Sequence, residues 1–491
     1  MKVLFATSEI VPFSKTGGLA DVSGALPVAL DALGVEVDVF TPMYAAVKSG
    51  GFDIEHADVD VEFPVFRRRQ HAFLRHTTLP DSGVRVHFVE HDRYFYRPGL
   101  YMDERGEYRD NAERFIFFCR AVIEFVRKRK TRYDVVHVNE WHTSMIPVYL
   151  RALYAEDDLF RDTAVVLSLH NIAYQGVFDQ WDFNFTGLPW EYFTWRYLEF
   201  WGKMNLLKGG VAFADKLNTV SPTYAGEIQT AEFGCGIENI LAARAEDLIG
   251  ILNGCDYSVW NPADDEHLPA NYDVDDTDGK AVCKAALQRE AGLGEAPDVP
   301  LIGIVSRLAE QKGFDILGKC MDEIMDLGVQ FVLLGTGQPE YEALFREARR
   351  RHAGSLSAFI KFDERLAHLI EAGCDMFLMP SRYEPCGLNQ MYSMRYGTVP
   401  VVRKTGGLAD TVVDYSPQAL ETGEATGFVF EDYTPEALLE AVRRAVALYR
   451  DDRDAWRRLA ACGMRRRFGW DRSAAEYLKL YEAAVAKRRG V

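Results

Sequence analysis

The segment SRLAEQKG places two cations in one loop between a strand and a helix. Arg307 follows the apolar run LIGIVS, and Lys312 comes just before a helical pattern that starts at Phe314. A guanidinium together with an ammonium suits a diphosphate whose negative charge grows as it leaves. The alternative is a pair of solvated surface charges. Parallel sheets bind ligands at the carboxyl ends of their strands, however, so this position favours phosphate binding.

The segment PSRYEPCGLNQMYSMRYG combines a carboxylate with the start of a helix. Glu384 lies just past an apolar strand, where its carboxylate could accept hydrogen bonds from sugar hydroxyls. The backbone N–H groups of Cys386 and Gly387 could donate to the same sugar. Cys386 could also be read as a thiol nucleophile, but no histidine at a suitable spacing accompanies it, so we assign it a packing or backbone-contact role.

The heptapeptide KTGGLAD occurs twice, at Lys15–Asp21 and at Lys404–Asp410. Each copy follows a β-type run and opens a stretch that could be helical, so the repeat indicates two similar halves. A Gly-Gly pair there lets backbone N–H groups approach a phosphate closely. A tight turn would explain a single copy, whereas two copies with a lysine two residues before the glycines favour anion binding. Neither loop is GxGxxG or GxxxxGK[ST], so dinucleotide redox chemistry and P-loop hydrolysis are unsupported.

Two further strands of the first half end in polar residues that could carry chemistry. SLHNIAYQG presents His170 with Asn171 beside it, and VNEWHT presents Glu140 and His142. A lone histidine is often structural, and only its place at the carboxyl edge of a strand gives His170 a functional interpretation. Metal ligation is not predicted, because the chain has no HExxH motif and no Cys/His cluster with ligand spacing.

These motifs need parallel sheets to position them, and the chain alternates short apolar strands with amphipathic helical patterns almost throughout. The alternation restarts at LIGIVS after a non-periodic, Asn/Asp/Pro-rich junction from Asn253 to Asp276. We therefore predict an α/β protein with two doubly wound, Rossmann-like domains. The chain closes with a predicted terminal helix whose N-cap is Asp471. An aromatic-rich stretch, Ala173 to Trp201, is either a satellite core or a carbohydrate-facing surface.

Bulk composition narrows the function class. A length of 491 residues predicts two domains, and a net charge of −17 argues against a nucleic-acid or anionic-membrane surface. Eight cysteines without a CxxC pair predict free thiols in a reducing compartment. No apolar run approaches the ~20 residues of a membrane span, and the chain begins with a strand rather than a signal peptide. We expect a soluble, cytoplasmic protein.

Taken together, the motifs resemble the bacterial glycogen synthase and plant starch synthase family, which are retaining glucosyltransferases that use ADP-glucose. The resemblance rests on six segments in the family's order and spacing, which are KTGGLADVSGALP, LHNIAYQG, NGCD, SRLAEQKG, PSRYEPCGL and KTGGLADTV. It implies a GT-B fold, in which two Rossmann-like domains face each other across a cleft. Residues 1–253 would form the acceptor-side domain, residues 254–471 the nucleotide-sugar donor domain, and the helix at residues 472–491 would cross back to the first.

Carried over position by position, the resemblance assigns roles within this cleft. Arg307 and Lys312 would hold the diphosphate, and Glu384 would bind hydroxyls of the donor glucose. Catalytic roles therefore fall on Arg307, Lys312, Glu384 and His170. The implied donor contacts are Lys15, Gly18, Asp21, Asn171, Asn253, Cys386 and Gly387. Candidate cleft-lining residues are Glu140, Tyr96, Tyr392, Gly406 and Gly407.

The chain departs from the family pattern at several positions. Glu140 stands where many members have aspartate, and Cys255 takes the apolar slot of NGID. Tyr392 stands where a related branch has a second glutamate, eight residues after Glu384, that reads the donor ribose. The implied partners are ADP-glucose and an α-1,4-glucan, with no cofactor and no required metal.

Other interpretations stay open on the sequence alone. The chain could be a UDP-sugar-dependent GT-B glycosyltransferase, a sugar-nucleotide epimerase, or a non-catalytic glucan-binding protein of the same fold. Phosphorolysis through pyridoxal phosphate is disfavoured, because no Schiff-base lysine context is recognisable. The oligomeric state is not predicted.

Overall fold

The computed structural model describes residues 1–80 and 82–490, and it divides into two units, each built on its own largely parallel sheet. Unit 1 comprises Met1–Val220, Ala225–Gly254 and Trp470–Val491, and unit 2 comprises Ser221–Tyr224 and Cys255–Gly469. The division after Gly254 lies one residue from the predicted junction. The short segment Ser221–Tyr224, which the sequence analysis placed in the first domain, groups with unit 2.

Unit 1 contains a nine-stranded sheet in the order β14-β13-β9-β8-β1-β2-β5-β4-β3. Its pairs are parallel from β14 to β5, and β4 and β3 add an antiparallel edge. The unit also has a small β6–β7 hairpin and a three-stranded sheet in the order β10-β12-β11. The strands of the unit are β1 (Lys2–Ala6), β2 (Glu36–Pro42), β3 (Glu55–Val65), β4 (Arg68–Thr78), β5 (Arg85–Glu90), β6 (Met102–Asp103), β7 (Gly106–Glu107), β8 (Val135–Asn139), β9 (Ala164–Leu169), β10 (Val177–Asp179), β11 (Glu199–Phe200), β12 (Lys203–Asn205), β13 (Lys216–Thr219) and β14 (Leu248–Gly250).

Unit 2 contains a six-stranded, wholly parallel sheet in the order β17-β16-β15-β18-β19-β20. Its strands are β15 (Leu301–Val305), β16 (Gln330–Leu334), β17 (Leu356–Phe359), β18 (Met376–Met379), β19 (Val399–Arg403) and β20 (Phe428–Phe430). β15 and β18 are buried along almost their whole length, as expected of strands covered on both faces. The predicted α/β class with two doubly wound parallel sheets is confirmed.

Helices connect the strands of both sheets. They are α1 (Gly18–Ala32), α2 (Ala45–Ser49), α3 (Asp92–Phe95), α4 (Asn111–Arg129), α5 (Glu140–Thr143), α6 (Met145–Ala152), α7 (Leu206–Phe213), α8 (Pro222–Glu227), α9 (Glu238–Ala242), α10 (Asp278–Glu290), α11 (Phe314–Met325), α12 (Pro339–Arg351), α13 (Glu364–Gly373), α14 (Asn389–Arg395), α15 (Gly406–Thr411), α16 (Pro417–Glu421), α17 (Pro435–Asp451), α18 (Arg453–Arg465) and α19 (Trp470–Arg489). Short 3₁₀ helices occupy Gln180–Thr186, Trp190–Tyr192, Ala245–Asp247 and Glu310–Lys312.

The terminal helix α19 packs on the sheet of unit 1 through two buried tyrosines. Tyr481 lies 2.7 Å from His137 Nδ1 on β8, and the Tyr477 hydroxyl accepts a hydrogen bond of 3.0 Å from Asn218 on β13. The residues alone did not indicate on which domain this helix packs, whereas the family resemblance implied that it crosses back to the first domain, where these contacts lie. The predicted N-cap was wrong, because the helix already begins at Trp470 and Asp471 lies in its first turn, where a carboxylate favours the helix dipole.

All eight cysteines are free thiols. Over residues 1–80 and 82–490, no helix is both long and apolar enough to cross a lipid bilayer. Within the same residues, His, Cys, Asp and Glu side chains do not gather in threes as a metal site would require.

Candidate active site

In unit 1, the first KTGGLAD loop is held by Glu9, a buried carboxylate three residues past β1. Glu9 accepts hydrogen bonds from the backbone N–H of Thr16 at 2.5 Å and of Gly17 at 3.2 Å. It also accepts from the Thr16 hydroxyl at 2.6 Å and from the hydroxyl of Tyr101 at 2.7 Å. Glu9 therefore holds the loop in place through these hydrogen bonds.

The glycines of this loop face open space. Gly18 is exposed and begins α1, and a Cβ added to Gly17 or Gly18 would meet no atom within 4 Å. Packing thus does not demand glycine here, whereas close approach of a ligand to the backbone would. Lys15 is also exposed and pairs with Asp21 at 2.6 Å. The loop offers free space, an ammonium and the N-terminus of a fifteen-residue helix to an anion.

The second cluster of unit 1 joins the ends of the neighbouring strands β8 and β9. Glu140 Oε1 accepts hydrogen bonds from the backbone N–H groups of His170 at 2.5 Å and Asn171 at 2.9 Å. Glu140 adopts φ +61°, a left-handed conformation that is uncommon away from glycine and typical of functional loops. Its longer side chain, compared with aspartate, spans from one strand end to the next.

The His170 imidazole has a defined tautomer in this cluster. Its Nε2 lies 2.9 Å from Oδ1 of Asn139, whose amide nitrogen already donates to the Ala6 carbonyl. Because Oδ1 can only accept, Nε2 carries the proton, and Nδ1 keeps a lone pair. Burial lowers the pKa of His170 to about 4, so the ring is neutral at pH 7. A neutral imidazole is suited to hydrogen bonding with a hydroxyl rather than to pairing with a phosphate.

Burial has the opposite effect on the pKa of Glu140. Desolvation raises its pKa to about 8, and the two N–H donors from His170 and Asn171 reduce that rise without cancelling it. Glu140 therefore holds the His170 loop mainly by accepting hydrogen bonds.

The other predicted residues of unit 1 differ in their exposure. Asn171 is half-buried, and its Oδ1 accepts the backbone N–H of Ala173 at 3.1 Å. Asn253 is buried, and its Oδ1 has no hydrogen-bond partner within the described part of the chain. Tyr96 is 57% exposed just after α3, where the Lys48 ammonium lies 5.7 Å from its ring centroid.

In unit 2, the structure brings two of the predicted catalytic residues into direct contact. Lys312 Nζ lies 2.6 Å from Oε2 of Glu384, and the Ser381 hydroxyl donates to the same oxygen at 3.0 Å. Both side chains are largely buried, which strengthens the pair relative to a surface ion pair. The pair places an ammonium, able to bind a phosphate, beside a carboxylate able to bind sugar hydroxyls.

A glycine makes this contact possible. Gly313, directly after Lys312, has φ +76°, and a Cβ added to it would stand 1.8 Å from the carbonyl oxygen of Pro380. The loops after β15 and β18 therefore approach backbone to backbone. The Arg382 N–H adds a 2.9 Å hydrogen bond to the Gln311 carbonyl between the same two loops.

Arg307 begins the β15 loop and differs from Lys312 in its surroundings. Its side chain is exposed, and it forms no ion pair with any carboxylate in the described residues. The loop thus presents one guanidinium to solvent close in sequence to the buried ammonium of Lys312. This arrangement leaves Arg307 available to an anionic ligand.

The second KTGGLAD copy packs beneath Glu384. The Gly407 N–H donates to the carbonyl oxygens of Glu384 and Pro385, both at 3.1 Å. A Cβ added to Gly406 would stand 2.0 Å from the backbone carbonyl oxygen of Glu384, and one added to Gly407 would stand 2.0 Å from the backbone carbonyl oxygen of Cys386. Both glycines are buried, so this copy supports the Glu384 loop by close packing.

The remaining predicted residues of unit 2 extend this loop. Cys386 is buried, and Gly387 has φ +71° at the turn before α14. Tyr392 on α14 stacks on Trp260 with ring centroids 4.3 Å apart, and Trp260 stacks on His368 at 3.8 Å. Tyr392 is therefore fixed by aromatic packing.

Sequence reasoning missed several residues that organise these loops. Glu9 and Asn139 were not singled out, although both lie at or just past the end of a β-strand in the positions where parallel sheets bind ligands. Their position at the end of a strand was the sequence signal that could have identified them. Ser381, beside the Lys312–Glu384 pair, had no signal of its own, because its contact depends on how two distant loops meet.

Comparisons with known proteins identify chains similar to this one. A family model described as starch synthase catalytic domain matches residues 2–243, and one described as glycosyl transferases group 1 matches residues 288–461. A glycogen synthase of Anaeromyxobacter sp. is 49% identical, with 99% of this chain and 100% of the relative covered. One from Geotalea uraniireducens is 48% identical at the same coverage.

A solved structure is also similar over nearly the whole chain. The catalytic domain of starch synthase IV from Arabidopsis thaliana, bound to ADP and acarbose, aligns with a TM-score of 0.90 and 33% identity. The alignment covers 99% of both chains. The GT-B-type, two-domain α/β fold expected from the sequence is confirmed by this match.

Proposed function

The chain belongs to the glycogen synthase family, and we propose that it transfers glucose from ADP-glucose to the non-reducing end of an α-1,4-glucan with retention of configuration. The observation that carries this proposal is the buried Lys312–Glu384 pair, which joins the loops after β15 and β18, with Arg307 exposed in the first of these loops. Similarity to a starch synthase whose solved structure contains ADP and acarbose supports the choice of donor and acceptor.

We assign the diphosphate to the two cations of unit 2. Arg307 would bind it with a bidentate guanidinium, and Lys312 would neutralise the distal phosphate as the bond to glucose breaks. Glu384, held by Lys312 and Ser381, would accept hydrogen bonds from the glucose hydroxyls. The N–H groups of Cys386 and Gly387 would donate to the same sugar.

Unit 1 would supply two further groups of donor contacts. The exposed first KTGGLAD loop, with Lys15 and Gly18, would bind the donor through its ammonium and its free backbone N–H groups. The neutral His170 imidazole and Asn171 would hydrogen-bond to the glucose. Glu140 is a positioning residue in this scheme, because it holds the backbone of both.

The reaction we propose is a front-face displacement at the anomeric carbon. The bond from this carbon to the phosphate oxygen breaks, the acceptor 4-hydroxyl oxygen forms the new bond on the same face, and its proton passes to the departing phosphate. Fixed cations would stabilise the charge on ADP, so we propose that no metal or cofactor is required. A cytoplasmic location remains a prediction, which the free thiols fit.

The assignment is tested by comparing donors and by removing the cations. We expect radiolabelled glucose to enter glycogen from ADP-glucose much faster than from UDP-glucose, with the same rate in the presence of a chelator. Arg307→Ala and Lys312→Ala should each lower kcat by about 100-fold to 1000-fold while glycogen binding is unchanged, because the lost charge acts in the transition state.

A matched control is Arg346→Ala, which removes an exposed cation of the same unit that pairs with Glu342 on α12. This variant should keep its full turnover. Near-normal turnover of both Arg307→Ala and Lys312→Ala would refute the phosphate assignment, and preference for UDP-glucose would refute the donor.

A further inference from the structure

A network of buried polar side chains crosses three strands of the unit 1 sheet and reaches the terminal helix. Its members are His137 on β8, Ser168 on β9, Asn218 on β13, and Tyr477 and Tyr481 on α19. All five side chains are fully buried. Burial of a polar group costs free energy unless the group is hydrogen-bonded, so the network depends on the contacts among its members. The transfer reaction proposed above uses none of the five.

Each member of this buried network contacts the next at hydrogen-bonding distance. The Tyr481 hydroxyl lies 2.7 Å from His137 Nδ1, and His137 Nε2 lies 2.5 Å from Ser168 Oγ. The Ser168 hydroxyl donates to Asn218 Oδ1, and the Asn218 amide nitrogen donates to the Tyr477 hydroxyl at 3.0 Å. The network therefore starts and ends on α19 and passes through three neighbouring strands.

With Asn218 Oδ1 facing Ser168, only one arrangement of protons satisfies the network. Asn218 Oδ1 can only accept, so the single hydroxyl proton of Ser168 points to it. Ser168 Oγ must then accept the proton of His137 Nε2, which leaves a lone pair on His137 Nδ1 for the Tyr481 hydroxyl. Burial lowers the pKa of His137 to about 3 and raises the pKa of Tyr481, in agreement with a neutral ring and a protonated hydroxyl. A fully satisfied buried network holds its groups in fixed positions.

The network lies on the same face of the sheet as the catalytic histidine. Alternation along a strand places Asn139 on the face of His137, and His170, one residue past β9, continues the face of Ser168. Asn139 Oδ1 accepts from His170 Nε2 at 2.9 Å. Side chains thus tie β8 to β9 twice, first through His137 and Ser168 and then through Asn139 and His170. The His170 ring also contributes to the lowered pKa of His137, as expected of two imidazoles that lie close together.

We propose that Tyr481 is a positioning residue for the transfer reaction, because it fixes His137 and, through the two ties between β8 and β9, the place of the His170 imidazole. The terminal helix then serves the active site of unit 1 as well as covering its sheet. Tyr481 touches no substrate in this scheme and acts only through the network. The inference rests on the proposed function for the role of His170.

Two small substitutions break the network at different points. Tyr481→Phe removes the hydroxyl and leaves the His137 lone pair without its donor, and Ser168→Ala removes the first tie between β8 and β9. We expect each to lower kcat by about tenfold, measured well below the melting temperature, because small displacements of a catalytic group reduce turnover. The KM for glycogen should be unchanged, since neither variant removes a glucan contact.

The matched control is Tyr149→Phe. Tyr149 is a buried tyrosine of the same unit, on α6, and its hydroxyl donates to the Thr186 carbonyl at 2.9 Å, outside the network. All three variants should melt a few degrees below the parent chain, because each loses a buried hydrogen bond. Only the two network variants should lose turnover. A loss of turnover that followed the melting temperature in all three would show a purely structural role and would overturn the inference.

The surroundings of His170 can also be measured without any activity. In protein with isotope-labelled histidine nitrogens, the NMR signals of the His170 imidazole are assigned by their absence in His170→Ala. We expect these signals to shift in Tyr481→Phe and to keep their parent values in Tyr149→Phe. Unchanged His170 signals in Tyr481→Phe, or normal kcat in both network variants, would contradict the positioning role. Absence of transfer in the parent chain would instead refute the proposed function, and the NMR comparison would still show whether Tyr481 positions His170.

Discussion

In the first KTGGLAD copy a Cβ added to Gly17 or Gly18 would meet no atom within 4 Å, whereas in the second copy one added to Gly406 would stand 2.0 Å from the Glu384 carbonyl oxygen. The lysines differ as well. Lys15 pairs with Asp21 inside its own copy, and Lys404 pairs with Glu431 outside it. Identical residues thus form an open loop in unit 1 and a packed support in unit 2.

The difference arises from the neighbouring residues. In unit 1, Glu9 accepts hydrogen bonds from the N–H groups of Thr16 and Gly17, and the outer side of the loop stays free. In unit 2, the carbonyl oxygens from Glu384 to Cys386 occupy the space that is free in unit 1. A Gly-Gly pair therefore permits close approach of any group, and the surrounding chain determines whether that group is a ligand or a backbone.

Among variants of the two KTGGLAD copies, the largest effect is expected from Gly407→Ala. The added methyl group would overlap the Cys386 carbonyl, so we expect a loss of about 1–3 kcal/mol in the free energy of unfolding. Displacement of Glu384 should lower kcat by about 100-fold. Thermal unfolding and the glycogen incorporation assay measure the two effects.

Gly18→Ala is the matched control for this variant, since its methyl group would enter open space. The free energy of unfolding should stay within about 0.5 kcal/mol of the parent. If Gly407→Ala were as stable as Gly18→Ala, the second copy would not be a packed support.

A smaller effect should distinguish the two lysines. Lys15→Ala should lower kcat/KM for ADP-glucose by about tenfold, because an ammonium near an anionic ligand is lost. Lys404→Ala should change it less than twofold, because the Lys404–Glu431 pair is mostly exposed. Equal losses in both variants, measured by steady-state kinetics, would assign the same role to both copies.

Much of the fold could be predicted from the sequence, because buried parallel strands are continuous apolar runs. LIGIVS and DMFLMP contain β15 and β18. The β3–β4 hairpin was not predicted. β4, which lies next to the edge strand β3, alternates exposed residues with buried ones, and this pattern is weak in a chain dominated by apolar strands.

The sequence predicted individual residues of the site but not the contacts between them. The motifs identified Lys312 and Glu384. Their contact, however, depends on the packing of Gly313 against Pro380, which lies 67 residues further along the chain. Glu9 was missed because a single glutamate after a strand has no distinctive spacing. Long-range packing of this kind has no local sequence signal.

Hydrogen–deuterium exchange, with and without saturating ADP, tests the contrast between the copies most directly. We predict that peptides covering residues 15–21 gain protection on ADP binding, because their open N–H groups become covered. Peptides covering residues 404–410 should already be protected without ligand and should change little. Equal protection of both segments by ADP, or none at residues 15–21, would contradict the assignment of the first copy to the donor and the second to support.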